Sequence, residues 1–135
     1  MPEPEALLVG CAIFHFDISS GDQIERRYPD GVSFPIAHDL LSAVALPEGA
    51  HNVQEDHTYV VTRDPTSGAL LYGLACFHNR RDPTVPRGAI LKSLLVLSRR
   101  PHYSFLLPVL RIAISLYVDE PDPTILATLF SRVNA

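Results

Sequence analysis

Leu70-Leu71-Tyr72-Gly73-Leu74-Ala75-Cys76-Phe77 and Gly88-Ala89-Ile90-Leu91-Lys92-Ser93-Leu94-Leu95-Val96-Leu97, joined by the charged, proline-broken loop His78 to Arg87, decide how this chain folds. Both runs are apolar almost without interruption, the pattern of strands whose sheet is covered on both faces. They predict two adjacent strands at the centre of a layered α/β domain. The stretch carries no paired carboxylates, no glycine-rich phosphate loop and no nucleophile beside a base. Residue chemistry alone therefore reads as an α/β domain.

Working outward toward the N-terminus, Asp64-Pro65-Thr66-Ser67-Gly68 is a turn into the central pair, preceded by a short strand, Thr58 to Thr62, and a polar loop, Ala50 to Asp56. His38 to Leu46 carries Leu40, Leu41, Val44 and Ala45 at helical spacing, with Pro35 in its first turn or Asp39 as its cap, and Pro47-Glu48-Gly49 ends it. Ala6 to Phe16 reads as a buried strand in which Gly10 marks a bulge or a close backbone approach. Asp17 to Asp22 is turn chemistry, and Gln23 to Tyr28 is a half-solvated edge strand, so the chain opens on a β-hairpin. Met1 to Glu5 is expected to be a frayed leader.

Toward the C-terminus, Tyr103 to Val118 is the strongest predicted helix. Leu106, Val109, Leu110, Ala113 and Tyr117 make one stripe, and Phe105, Ile112 and Leu116 widen it enough to predict cover by more than one neighbour. Pro108 fits if it lies in the first turn or two. After Asp119-Glu120-Pro121, Asp122 is the expected N-cap of a short helix with Pro123 at its first position and Ile125, Leu126, Leu129, Phe130 and Val133 inward. The abrupt finish at Asn134-Ala135 suggests a piece of something longer. Asp-Pro-Thr begins at Asp64, Asp82 and Asp122, spacings too unequal for a repeat. All three read as punctuation.

The 135 residues make room for one domain, 1–135, large enough to remove roughly two-thirds of the unfolded chain's surface from water. With 47% hydrophobic and 19% charged residues the chain is greasier than most globular domains, which suggests apolar surface meant for another domain or partner. Its net charge of −4 gives no electrostatic reason to expect nucleic acid or an anionic membrane. Cys11 and Cys76 sit in apolar runs, as buried thiols do. The acidic start does not resemble a signal peptide and no apolar run is long enough to span a bilayer, so a cytoplasmic protein is expected.

Three constellations invite a chemical reading. His51, Asp56 and His57, with His15 and His78, lack any recognised metal-ligand spacing, and no metal or cofactor is expected. His38-Asp39 beside Ser42 fails as a catalytic set, because an Asp adjacent in sequence cannot orient the His. Arg80, Arg81 and Arg87 in one loop and Arg99-Arg100 after the next strand belong at opposite ends of a hairpin. They are solvated loop ends or, in one cluster, contacts for an acidic partner or lipid head groups.

The order strand, strand, helix, three strands, helix, helix resembles a longin domain, which implies an α/β (α+β) fold: a five-stranded antiparallel sheet with helices on both faces. Gly10-Cys11-Ala12-Ile13-Phe14-His15-Phe16-Asp17, then Ser20-Gly21, Ile24-Glu25 and Tyr28-Pro29, is similar to the opening hairpin of DENN-domain proteins. Tyr72 to Phe77, Arg87-Gly88-Ala89 and Lys92 to Ser98 resemble the central strands of the same upstream segment, and His51-Asn52-Val53-Gln54-Glu55-Asp56 is most similar to the LCHN-type branch. The longer linker Thr62 to Gly68 departs from that pattern. The resemblance implies the longin lobe of a guanine-nucleotide exchange factor for Rab GTPases, inactive by itself, packed against a downstream DENN lobe through helix positions such as Phe105, Val109, Ile112 and Leu116. It implies a cytoplasmic protein, peripheral on endomembranes, with a Rab as partner. The alternative is a stand-alone longin or roadblock-like interaction scaffold in trafficking. Either edge strand, Gln23 to Tyr28 or Tyr59 to Thr62, leaves a homodimer open.

Overall fold

In the computed structural model, which describes residues 6–17, 21–85 and 88–135, the two apolar runs become the middle of a single sheet. The elements follow in the order β1 (Leu8–Asp17), β2 (Gly21–Tyr28), α1 (His38–Ala45), β3 (Glu55–Arg63), β4 (Leu70–Arg81), β5 (Ala89–Ser98), α2 (Tyr103–Asp119) and α3 (Thr124–Val133), with a 3-10 turn at Ala50–Asn52. The five strands lie in the order β2-β1-β5-β4-β3, and every neighbouring pair is antiparallel. Helices cover both faces, as the α+β, longin-like reading requires. The expected leader, Ile18 to Ser20 of the first turn, and Arg87 lie outside the described residues.

Side-chain alternation sorts the strands between two cores. Cys11 and Ile13, Leu74 and Cys76, and Leu94 and Val96 point to the face where α2 and α3 lay down Leu106, Leu110, Ile114, Tyr117 and Leu126. Ala12, Phe14, Ala75, Phe77, Leu91 and Leu95 point the other way, onto Leu41, Ala45 and Leu46. Covering both faces explains why β4 and β5 are apolar without alternation. Both cysteines are buried and unpaired, and burial pushes the thiols up to about 12 at Cys11 and about 11 at Cys76. Gly10 sits where the β1–β5 register shifts, and a Cβ there would lie 2.7 Å from Val32 Cγ2.

Several boundaries differ from expectation. β4 continues four residues beyond Phe77, because Asn79, Arg80 and Arg81 pair with Leu91, Ile90 and Ala89. Arg80 and Arg81 are therefore strand residues, and the loop shrinks to a turn closed by Asp82 N–H to Gly88 O at 2.9 Å. β3 likewise begins at Glu55, pulled into the ladder opposite His78. Asp39 does not cap α1: its carboxylate accepts from Leu40 N–H at 3.0 Å, inside the helix. Pro35 lies ahead of that helix, and its carbonyl accepts from Thr62 Oγ1 at 3.0 Å. Pro108 is the sixth residue of α2, with its ring on the exposed side. The three Asp-Pro-Thr triplets share one geometry, in which the Asp carboxylate accepts from the Thr N–H at 2.8, 2.9 and 2.9 Å. α3 starts one residue later than expected, at Thr124 with Pro123 rather than Asp122 at its N-cap, and the Asp122 carboxylate meets the Thr124 N–H from one position further out.

Candidate interaction surfaces

α2 lies over β4 and β5 and touches α3 at its side. Residues at positions 106, 110, 113, 114, 117 and 118 take the buried face. The helix is apolar on the opposite side too, so Phe105, Ile112 and Leu116 stand in solvent at 55%, 64% and 56% exposure. Spacings of seven and four residues put these three on one line. Val109, at the edge of that line, packs partly into the domain's own core. The second neighbour predicted for this helix is thus α3 at the flank, and among the described residues nothing covers the outer face.

The arginines fall where the ladder puts them. Arg81 pairs with Ala89 and Tyr72 with Ser98, so Arg80-Arg81 and Arg99-Arg100 are at opposite ends of the β4–β5 hairpin and form no common patch. Arg80 Nη1 reaches Asp119 Oδ1 at 2.5 Å, tying the end of β4 to the end of α2. With exposed Arg81, Asn52, Gln54 and Asn79 it lines an open groove of about 790 Å³. Arg99 serves the fold: its Nε donates to Ala6 O at 3.0 Å and its N–H to Leu7 O at 2.8 Å. Arg100 is exposed.

A polar cluster that sequence reasoning missed joins β2 and β5 to α2. Lys92 Nζ donates to both oxygens of Glu25, at 2.9 and 3.1 Å, and the hydroxyl of fully buried Tyr117 donates to the same carboxylate. Arg26 Nε donates to Tyr117 Oη at 3.0 Å, and His15 Nδ1 lies 3.4 Å from Glu25. Burial alone would raise the Glu25 pKa, but the hydrogen bonds from Tyr117 and Lys92 and the nearby positive charge outweigh it and hold the carboxyl below its ordinary value. Tyr117 is pushed up to about 12, by burial first and by the carboxylate it serves. A lysine inside the apolar β5 run was the signal available in the sequence. Its partner, 67 positions away, was not.

The histidines weighed in the sequence stay apart among the described residues. Among the described residues no group of three or more His, Cys, Asp and Glu could hold a metal ion. His57 and His78 each face a single carboxylate, Asp56 at 3.6 Å and Glu55 at 3.9 Å. Ser42 Oγ and His38 Nε2 are 3.5 Å apart with Asp39 engaged elsewhere. No helix among the described residues is long and apolar enough to cross a membrane.

The chain is similar to the late secretory pathway protein avl9 of Schizosaccharomyces pombe, 26% identical over 109 residues covering 76% of this chain and 23% of that protein. It is also similar to the late secretory pathway protein AVL9 of Saccharomyces cerevisiae, 25% identical over 162 residues covering 97% of this chain and 21% of that protein. It thus spans less than a quarter of the length of these curated relatives. A family model described as transport protein Avl9 matches residues 8–135, from the first residue of β1 through α3, and on that match the chain belongs to the Avl9 transport protein family.

Proposed function

We propose that this domain is the longin lobe of a DENN-type exchange factor that acts on a Rab GTPase in late secretory traffic. Its own part is structural: it docks the GTPase together with a downstream lobe and catalyses nothing alone. The fold, family membership and the relatives' place in the late secretory pathway support the setting. The likeness of residues 51–56 to the LCHN-type branch is the finer form of the same reading. The observation that carries it is the outer face of α2, where three large apolar side chains at helical spacing face solvent. An isolated domain gains nothing from that arrangement, whereas a helix buried between two lobes requires it. Exchange follows from differential binding: a partner that holds the nucleotide-free GTPase better than the loaded one drives release.

The test is calorimetric titration of the domain with the segment that follows it in the full-length protein. Ile112→Glu and Leu116→Glu should each weaken association more than tenfold, since each removes an apolar anchor worth about 1.5–3 kcal/mol and buries a charge. Both positions are exposed in the domain, so its own stability should change by no more than about 0.5 kcal/mol. Undiminished affinity in both variants would overturn the assignment of this face. Accelerated nucleotide release by the domain alone would overturn its inactivity.

A further inference from the structure

The two edges of the sheet are unlike. β2 pairs with β1 through a register break between Ile13 and Phe14, exposes Arg26 and Arg27, and runs into Pro29. Bulge, charge and proline are what blunts an edge against further pairing. β3 has none of these between Thr58 and Thr62. Its nine residues form an unbroken ladder with β4, and Tyr59 and Val61 are 51% and 54% exposed.

The backbone polarity of that edge can be read from the bonds flanking the ladder. Gln54 O accepts from Asn79 N–H and Asp64 N–H donates to Ala69 O, so even-numbered residues of β3 turn their peptide groups toward β4. Alternation then turns the N–H and C=O of Glu55, His57, Tyr59, Val61 and Arg63 outward. Among the described residues no strand pairs with that side. The His57 N–H is engaged locally, by the Asp56 carboxylate at 2.8 Å.

We infer that β3 is a homodimer interface, in which a second copy pairs antiparallel about a twofold axis through Tyr59 and extends the sheet to ten strands. Charge selects both occupant and register. With Tyr59 opposite Tyr59, His57 falls opposite Val61 and Glu55 opposite Arg63, twice over, all on one face. Moving the axis to Thr58 sets Glu55 against Val61 and Arg63 against Val53. Moving it to Val60 sets His57 against Arg63. Only the Tyr59 register matches an acid with a base at both ends, and it leaves the five outward peptide groups of each copy opposite those of the other. The present partners of the end charges are weak: Glu55 is 3.9 Å from His78 Nδ1, and Arg63 gives one donor, Nη1, to Gly68 O at 2.8 Å. The other face adds apolar surface beside the same edge. Leu40 is 54% exposed, one turn before Val44, whose carbonyl accepts from Thr58 Oγ1.

Light scattering of the 135-residue chain over a concentration series should show the mass rising from 14.9 kDa toward twice that value. Glu55→Arg alone and Arg63→Glu alone should each raise the dissociation constant about tenfold, because two facing pairs turn from attractive to repulsive. A mixture of the two variants should recover wild-type affinity as a heterodimer. Tyr59→Cys should give an oxidised covalent dimer, since residues facing on the axis have Cα atoms about 5.5 Å apart, within disulfide reach. Val61→Cys should not, its copies lying more than about 13 Å apart. A chain that stays monomeric overturns the inference. So does a dimer indifferent to the charge exchange or left uncrosslinked by Tyr59→Cys, which would move the interface elsewhere. The surface is separate from the outer face of α2, so Ile112→Glu should leave this dimer intact.

Discussion

Tyr117→Phe isolates the polar cluster that ties α2 to β2 and β5. The ring is fully buried, and phenylalanine fills the same space, so no cavity term enters. What is lost is one hydrogen bond to an ionised carboxylate, worth about 1.5–3 kcal/mol, and the Arg26 bond at 3.0 Å, of small value because Arg26 is exposed and returns to water. Glu25 keeps both Lys92 bonds and is not orphaned, which favours the low end, about 1–2 kcal/mol. At about 2.1 cal/mol/K of unfolding entropy per residue, that corresponds to a fall in Tm of about 4–7 °C for this chain. Urea unfolding at several pH values gives the sharper test. A carboxyl whose pKa is lower folded than unfolded adds stability above its unfolded value and loses it as pH falls through the folded one. Glu25 is held below its ordinary 4.5, so the gap between wild type and Tyr117→Phe should be full at pH 7 and shrink below about 4.5. A gap equally large at pH 3, or absent at pH 7, would refute the assignment of the stabilisation to the tyrosine–carboxylate bond.

Two further outcomes rest on packing. A Cβ at Gly73 would lie 2.5 Å from Val60 Cγ1 on the facing strand, so Gly73→Ala should cost about 1–3 kcal/mol in urea unfolding. The double variant with Val60→Ala should recover most of that; no recovery would refute the contact as the cause. Cys11 and Cys76 are fully buried with thiols pushed up to about 12 and about 11, so an alkylating reagent at pH 8 should label neither in the native chain and both in urea. Native labelling at the rate of a free thiol would contradict their burial.

What was legible beforehand is what local pattern encodes. The continuous apolar runs of β4 and β5 announce a sheet covered on both sides, the stripe of α2 announces its buried face, and each Asp-Pro-Thr announces a turn whose bond is made within three residues. Gly10 was readable for the same reason. Illegible beforehand was everything a distant partner decides. His78 to Arg81 look like loop residues until Ile90 and Leu91 stand opposite them and carry the ladder on. Glu25 looks like a solvated charge on an edge strand until β5 and α2 deliver Lys92 and Tyr117 to it. The arginines illustrate the same limit, since sequence separates the two clusters correctly but does not show that Arg80 is matched by Asp119 and Arg99 by the backbone of residues 6–7.

The apolar excess in the composition acquires a location. Of the large apolar side chains that remain exposed, Phe105, Ile112 and Leu116 lie on α2, while Tyr59, Val61 and Leu40 flank the β3 edge. α2 rests over β4 and β5, so its outer face points away from the sheet while the β3 edge points along it, and occupying one does not obstruct the other. A twofold axis perpendicular to the sheet keeps both copies' α2 helices on the same side of the ten strands. The two proposals are therefore energetically separable: Ile112 lies on the outer face of α2 and Glu55 on the β3 edge, and variants at sites that do not touch should combine additively. Ile112→Glu with Glu55→Arg should lose lobe binding and self-association by the same factors as the single variants do. Strong coupling between the two would mean that one surface serves both contacts, and the β3 register would be the reading to abandon, since the α2 face lies nowhere on that edge.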